Sequence, residues 1–495
     1  MTKINVKQLV VTALHSKEHA NNIVDLIDLI ATQRNRKIVL EAASGCLDIF
    51  TKYLEEDCLP SNTKSDDTIQ VFQSWIWERI TDCFNACLSN LKESDDGEKM
   101  LETILRLIQF KAICQNKNAT EFIFPEEELA KLMGVVLASK NPTLLQTFTE
   151  LLPYDDTRYF VLKSLPATLN KLLNADKTII ETVFNFLKTT VSFMPTDDSK
   201  LTSSYVFGSE NEPVLAKFQS SRPFMVSHHR KKFSSAWLEF LKHPLPGHIH
   251  KNVLVIFHTS LVPNFAKPRL LADFLMRSYA KGGGLALLGL HGLFVLMHQH
   301  NLEYPEFYKN VYAMLHPRIF DAKYKARFFH LLDLFLSSTH IPSYLVAAFV
   351  KKMSRLCLIA PPDGICIMVT LILNLLRRHP SIRHLVHKDL DKAEAIVDPY
   401  VEGEPDPSKC AAMESSLWEV SSLKSHYSPE VVKCVSFKSI GTMETDVGEI
   451  LENNYDELFN DACSKEFKNF AMNHVPPETL FGGFEDTTSE IWCVE

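Results

Sequence analysis

Apolar residues recur at helical spacing through the first part of the chain. Val39, Ala43, Cys46, Phe50 and Tyr53 are separated by steps of four, three, four and three, which places them on one helix face. The same spacing predicts helices near 18–31, 35–54, 69–91, 98–115, 126–139, 142–151, 156–173 and 176–193. Short polar joints and the lack of strand-like alternation predict stacked antiparallel helices. The expected fold is all-α, a HEAT/armadillo-like helical-repeat superhelix in two parts, although no repeat is visible in residue identities.

Two stretches interrupt the pattern. Residues 55–67 are polar and predict a loop, and residues 194–222 have the Pro, Ser and Asp content of a linker. The expected organisation is therefore an N-terminal helical array over 1–193, a linker over 194–222, a second helical domain over 223–440, and an acidic segment over 441–495. Within the second domain, Pro244, Pro246, Pro263, Pro268, Pro317, Pro342, Pro361 and Pro362 predict turns between apolar helices.

Composition agrees with this reading. Only 16 of 495 residues are Gly, whereas glycine-rich turns and phosphate loops mark many sheet folds. The 11 cysteines are odd in number and contain no C-x-x-C pair, so they predict reduced intracellular thiols, not a disulfide framework or zinc knuckle. The apolar run Leu9–Leu14 is too short for a secretory leader, and the sequon at Asn118 is expected to be unused. Two apolar stretches, 285–297 and 356–376, raise the question of a nuclear-membrane location. The first is too short and the second is interrupted by Pro361-Pro362-Asp363-Gly364, so both are expected to be buried core helices.

Charge is distributed in blocks. Residues 217–388 carry 23 Lys and Arg against 7 Asp and Glu, with 15 of the 19 histidines, and both flanks are acidic. Such a block attracts polyanions such as RNA or acidic partner segments, or it packs internally against the acidic C-terminal part. The basic clusters are His228-His229-Arg230-Lys231-Lys232; Lys323, Lys325 and Arg327; Lys351, Lys352 and Arg355; and Arg377, Arg378, His379 and Arg383. On a helix, Lys351, Lys352 and Arg355 share one side.

Catalytic chemistry has no positive signal. Gly284 and Gly289 have G-x-x-x-x-G spacing, but Leu290-His291 stand where a phosphate loop needs Lys and Ser or Thr. The clusters His243/His248/His250 and His379/His384/His387 lack a nearby cysteine pair or an H-E-x-x-H pattern, and no G-x-S-x-G nucleophile elbow occurs. No enzyme, metal or cofactor is expected.

The second domain carries an ordered series of short motifs. They are Leu287-Leu288-Gly289-Leu290-His291-Gly292-Leu293-Phe294, Tyr304-Pro305-Glu306-Phe307-Tyr308, Ala360-Pro361-Pro362-Asp363-Gly364 and Asn374-Leu375-Leu376-Arg377-Arg378-His379-Pro380. Asp406-Pro407, Glu414-Ser415-Ser416-Leu417-Trp418-Glu419 and His426-Tyr427-Ser428-Pro429 follow. This series resembles the CCAAT-binding-factor-type domain of the nucleolar complex protein family.

The resemblance implies a non-enzymatic nucleolar factor in small-ribosomal-subunit assembly, bound to nucleolar protein 14 among other precursor proteins; the basic block is compatible with either pre-ribosomal RNA (pre-rRNA) or an acidic partner segment as a further contact. Glu414, Ser415, Ser416, Leu417, Trp418 and Glu419 form a candidate partner-facing motif, since aromatic anchors dominate interfaces. The competing reading packs Leu417 and Trp418 onto the basic domain, with Glu414 and Glu419 pairing its cations. Lys351, Lys352, Arg355, Arg377 and Arg378 are candidate RNA or acidic-partner contacts, or internal ion pairs. A transcription-related DNA-binding factor and a generic helical-repeat adaptor are the rival functions, though no helix-turn-helix, zipper or zinc-finger pattern is present.

Overall fold

The computed structural model describes residues 6–15, 19–33, 35–55, 67–93, 97–117, 119, 121–195, 201, 203–208, 217–218, 220–386, 398–436, 444–452 and 455–464. Every regular element among these residues is helical, as the apolar spacing predicts. Contacts divide the chain into two compact units, Met1–Pro305 and Glu306–Glu495.

The first unit contains α1 (Val6–His15), α2 (Asn22–Thr32), α3 (Arg36–Glu55), α4 (Asp67–Glu93), α5 (Gly97–Asn116), α6 (Glu126–Ser139), α7 (Pro142–Thr149), α8 (Asp155–Ala175) and α9 (Ile180–Ser192). It continues through α10 (Val226–Lys242), α11 (Gly247–Ile256), α12 (Ala272–Ala280) and α13 (Gly283–His300). Helices pack on near neighbours in sequence: α2 on α3 and α4, α4 on α5 and α6, then α6 on α8 and α8 on α10. The face predicted for α3 is the one that is buried, from Val39 to Tyr53. Local chemistry sets the helix ends. Lys140 closes α6 in the left-handed conformation at φ 56°, and Asn141 then accepts from the Thr143 N–H at 3.0 Å, with Pro142 starting α7.

The stretch predicted as a linker, 194–222, behaves differently where it is described. Asp156 is fully buried at the start of α8 and accepts from Ser204 Oγ at 2.6 Å, Tyr205 N at 3.0 Å and Val206 N at 3.1 Å. Asp155 accepts from Ser203 N at 2.9 Å. Polar composition alone suggests exposure, but two buried carboxylates need donors, and this segment's backbone supplies them. The array thus continues through α10, and the contacts divide at Pro305 instead of within 194–222.

Glycine has a specific use in α13. A Cβ on Gly289 would lie 3.0 Å from the Leu275 carbonyl oxygen and 3.1 Å from the Tyr279 nitrogen, and one on Gly292 would meet the Leu275 side chain at 2.6 Å. The two glycines of the Leu-Gly-Leu-His-Gly motif let α13 lie directly on the backbone of α12.

The second unit contains α14 (Phe307–Met314), α15 (Lys325–Phe335), α16 (Ser343–Cys357), α17 (Pro362–Arg378), α18 (Trp418–Ser422), α19 (Pro429–Val435), α20 (Val447–Glu452) and α21 (Tyr455–Ser464). Residues Pro362–Ile372 of α17 are all buried, so α17 is a central helix. Its start shows what the Pro-Pro-Asp-Gly motif does: buried Asp363 pairs with Lys325 of α15, and a Cβ on Gly364 would meet the Phe320 ring at 2.8 Å. The apolar stretches 285–297 and 356–376 lie in α13 and across α16 and α17, and both are largely buried. Among the described residues, no helix is long and apolar enough to cross a membrane.

Candidate partner-binding site

Two of the sequence-predicted cations, Lys351 and Arg355, meet the Glu414–Glu419 motif in the second unit. Helix α16 presents Lys351, Ser354 and Arg355 at spacings of three and four, so all three face the segment that returns between Asp398 and Glu419. Lys351 is fully buried, and its ammonium donates to Glu419 Oε1 at 2.5 Å and to the Ser416 carbonyl at 2.8 Å. It also lies 2.8 Å from Asp398 Oδ2. Glu419 is equally buried, and its second oxygen accepts from Ser354 Oγ at 3.1 Å. Arg355 Nη2 donates to Asp398 Oδ2 at 3.0 Å.

Asp398 is the hub of this cluster. Besides its two cations it accepts from Ser415 Oγ at 2.5 Å, from the indole N–H of Trp418 at 3.0 Å and from its neighbour Tyr400 N at 3.1 Å. Burial pushes its carboxyl up, but the bonds from Lys351, Ser415 and Trp418 outweigh this and hold it well below the usual carboxylate range.

Trp418 is therefore fixed twice: its indole N–H is bound to Asp398, and the Arg355 guanidinium sits 5.0 Å from its ring centroid. The ring nevertheless remains 42% exposed, and Tyr427 beyond it is 77% exposed. A large aromatic side chain held in one orientation at the surface is the form interface anchors take. In the same motif Leu417 is buried, Ser415 is buried, and Glu414 ends a short turn preceding it.

Lys352 turns towards α14. Its Nζ lies 3.9 Å from the Tyr312 ring centroid and donates to the Tyr312 carbonyl at 2.7 Å, and burial pushes its pKa down to about 8. Tyr312 and Tyr400 share a hydroxyl contact of 3.0 Å behind it. Arg378 is also committed internally: it donates to both Glu444 oxygens at 2.9 and 2.7 Å and to Asp333 at 2.8 Å. Arg377 donates to Asn374 Oδ1 at 2.9 Å, while Asn374 grips the Thr445 backbone from both sides, at 2.8 Å to its carbonyl and 3.1 Å from its N–H.

Of the two readings of the charge blocks, the described residues adopt the internal one here: Asp398, Glu419 and Glu444 neutralise Lys351, Arg355 and Arg378. Enclosure of Lys351 leaves no surface on it for RNA. Sequence reasoning missed Asp398, Ser354, Tyr312 and Tyr400. Asp398 had no distinguishing signal, being one of many acidic residues beyond the basic block, 43 positions from Arg355.

In each histidine cluster one described ring is bound to protein groups. His250 contacts Ser278 Oγ at 2.8 Å and the Lys281 ammonium at 3.0 Å; its pKa is pushed down to about 4 by burial and by that cation. His384 bonds backbone carbonyls, and His387 lies outside the described residues. Among the described residues no group of His, Cys, Asp and Glu could hold a metal ion.

Residues 286–435 match the CBF/Mak21 family, a span that contains Lys351, Arg355, Asp398, Trp418 and Glu419, and residues 2–174 match "Nucleolar complex protein 4-like, TPR repeats". The chain is 35% identical to Nucleolar complex protein 4 homolog B of Xenopus laevis, over 96% of this chain and 93% of that one. The chain belongs to the nucleolar complex protein 4 family. It is likewise 35% identical to the Homo sapiens nucleolar complex protein 4 homolog, over 95% and 93% of the two chains, and 29% identical to Protein NUCLEOLAR COMPLEX ASSOCIATED 4 of Arabidopsis thaliana, over 94% and 92%. Within this chain the family motifs have physical assignments. The paired glycines set a helix contact, Asp363 and Asn374 fix neighbouring segments, and Glu419 neutralises Lys351.

Proposed function

We propose that this protein is a non-catalytic nucleolar assembly factor, acting in rRNA processing and in assembly and export of the small-ribosomal-subunit precursor by holding nucleolar protein 14. The observation that carries the reading is the near-full-length likeness to nucleolar complex protein 4 homologs. The geometry of the second unit supports it: Trp418 stands partly exposed on a charge-locked base, so it meets a partner without first being ordered. The mechanism is binding. Holding partners in one arrangement raises their effective concentration for later steps.

Lys351, Arg355 and Arg378 are spent on internal carboxylates, so these candidate cations do not supply the DNA-binding rival with phosphate contacts. The test is affinity purification of the full chain from nuclear extract, with and without ribonuclease. Recovery of nucleolar protein 14 that survives ribonuclease, together with small-subunit precursor proteins, is the expected result. Recovery of chromatin or transport components instead would overturn the proposal.

A further inference from the structure

At one of the basic clusters three cations, Arg222, Lys231 and Lys232, face no ion-pair partner among the described residues. This cluster lies in the first unit, around the N-terminal half of α10. Arg222, in the turn before the helix, and Lys231 are exposed, while Lys232 and His228 are half-buried. Lys163 of α8 adds a further exposed cation, which Glu126 partly offsets. Burial and the nearby cations Lys231, Arg222 and Lys232 together push the pKa of His228 down; burial, with Lys163 and Arg222, pushes that of Lys232 down against the opposing Glu126 carboxylate.

The cluster is held in place from below. His229, the residue between the exposed cations and the core, is fully buried; its Nε2–H donates to the Pro223 carbonyl at 2.6 Å, and its Nδ1 accepts from Arg158 Nε at 3.4 Å. Arg158 is in turn paired with Asp155. Pro223 adjoins Arg222, so this buried chain fixes the turn carrying Arg222 against the helix carrying Lys231 and Lys232.

The outward face of α10 is also chemically uniform. Ser227, Lys231 and Ser235 are exposed at successive steps of four, and no acidic residue occurs on the helix before Glu239. We infer that Arg222, Lys231, Lys232 and Ser227 form a binding site for the phosphate backbone of RNA. Phosphate recognition needs only cations and hydroxyl donors spread over a surface, which is what this face offers. An acidic protein segment would need apolar anchors beside the charges for comparable affinity, and here Met225 is the one large apolar side chain exposed among residues 222–235. The inference deepens the pre-ribosome reading, since it supplies that particle's RNA with a specific contact on this chain.

The experiment measures binding of a short fluorescent poly(U) RNA to the full chain by anisotropy across a salt series, with poly-glutamate as competitor. K231E/K232E is compared with K323E/R327E, which makes the same charge change at exposed positions of another basic cluster. The expected result is that K231E/K232E loses about tenfold or more in affinity and that its log-affinity against log-salt slope becomes shallower by about 1.4, two single-strand phosphate contacts. K323E/R327E should stay within about twofold of the wild type. Equal weakening of both variants, no RNA binding by the wild type, or poly-glutamate displacing RNA at equal charge concentration would each overturn the inference. Circular dichroism of K231E/K232E checks folding, and Ser227→Asp serves as a second test should that variant be unstable. Capture of nucleolar protein 14 by K231E/K232E reports separately on the assembly-factor reading, so the two proposals can fail independently.

Discussion

The ammonium of Lys351 lies 2.5 Å from Glu419 Oε1, with both side chains fully buried and 68 positions apart in sequence. Removing Lys351 leaves the carboxylates of Glu419 and Asp398 to share one cation, Arg355, which lies 3.1 Å from Glu419 Oε1 and 3.0 Å from Asp398 Oδ2. Lys351→Met should therefore destabilise the second unit by about 3–5 kcal/mol in urea denaturation. The double variant K351M/E419L should recover part of that loss. A double variant no better than the single would show that the pair is not what the destabilisation measures.

Trp418→Ala separates binding from folding. The ring is 42% exposed, so the stability cost should stay near 1–2 kcal/mol, whereas capture of nucleolar protein 14 should fall by about tenfold or more. Asp398→Asn frees the indole while leaving the ring in place, and should weaken capture less than Trp418→Ala. Unchanged capture by Trp418→Ala would assign the tryptophan to packing alone.

Acid should destabilise the first unit through its buried histidines. Burial and the Arg158 charge push the pKa of His229 down to about 4 from an ordinary value near 6.5. Between those values the unfolded chain takes up a proton that the folded one refuses, so stability falls as pH drops from about 6.5 towards 4, by up to about 3 kcal/mol at the lower end. His250 acts in the same direction. Thermal unfolding of wild type and His229→Gln at neutral pH and at pH 5 checks this: the variant should show the smaller difference between the two.

Asn374 and Arg378 together hold the Glu444–Thr445 segment on α17. Asn374→Ala removes the acceptor of the Thr445 N–H, and hydrogen exchange at that amide should accelerate by about tenfold, with α17 itself unaffected. Arg378→Ala should speed exchange through Glu444 as well. Equal protection in all three proteins would mean that other contacts carry the segment.

Helix content was legible because it depends on local spacing: the α3 face from Val39 to Tyr53 is buried as its periodicity requires. The family motifs were legible too, as letters in order. Their physics was not, because it lies in pairings of distant residues. Nothing near Asp156 indicates that Ser204, Tyr205 and Val206 will bond to it, and so a polar stretch with linker composition conceals a docked one. The candidate cations divided in the same way. Charge counting grouped Lys351 with Lys231, yet one is enclosed by carboxylates and the other faces solvent.

The Lys351–Glu419 pair also bears on synthesis. As the chain leaves the ribosome, α16 emerges with Lys351 still hydrated, and the carboxylate that permits its burial follows 68 residues later. The core face of α16 cannot close until then. For that interval the second unit exposes apolar surface around a charged residue, the condition in which chaperones engage nascent chains. A chain ending before Asp398 would remain in that state.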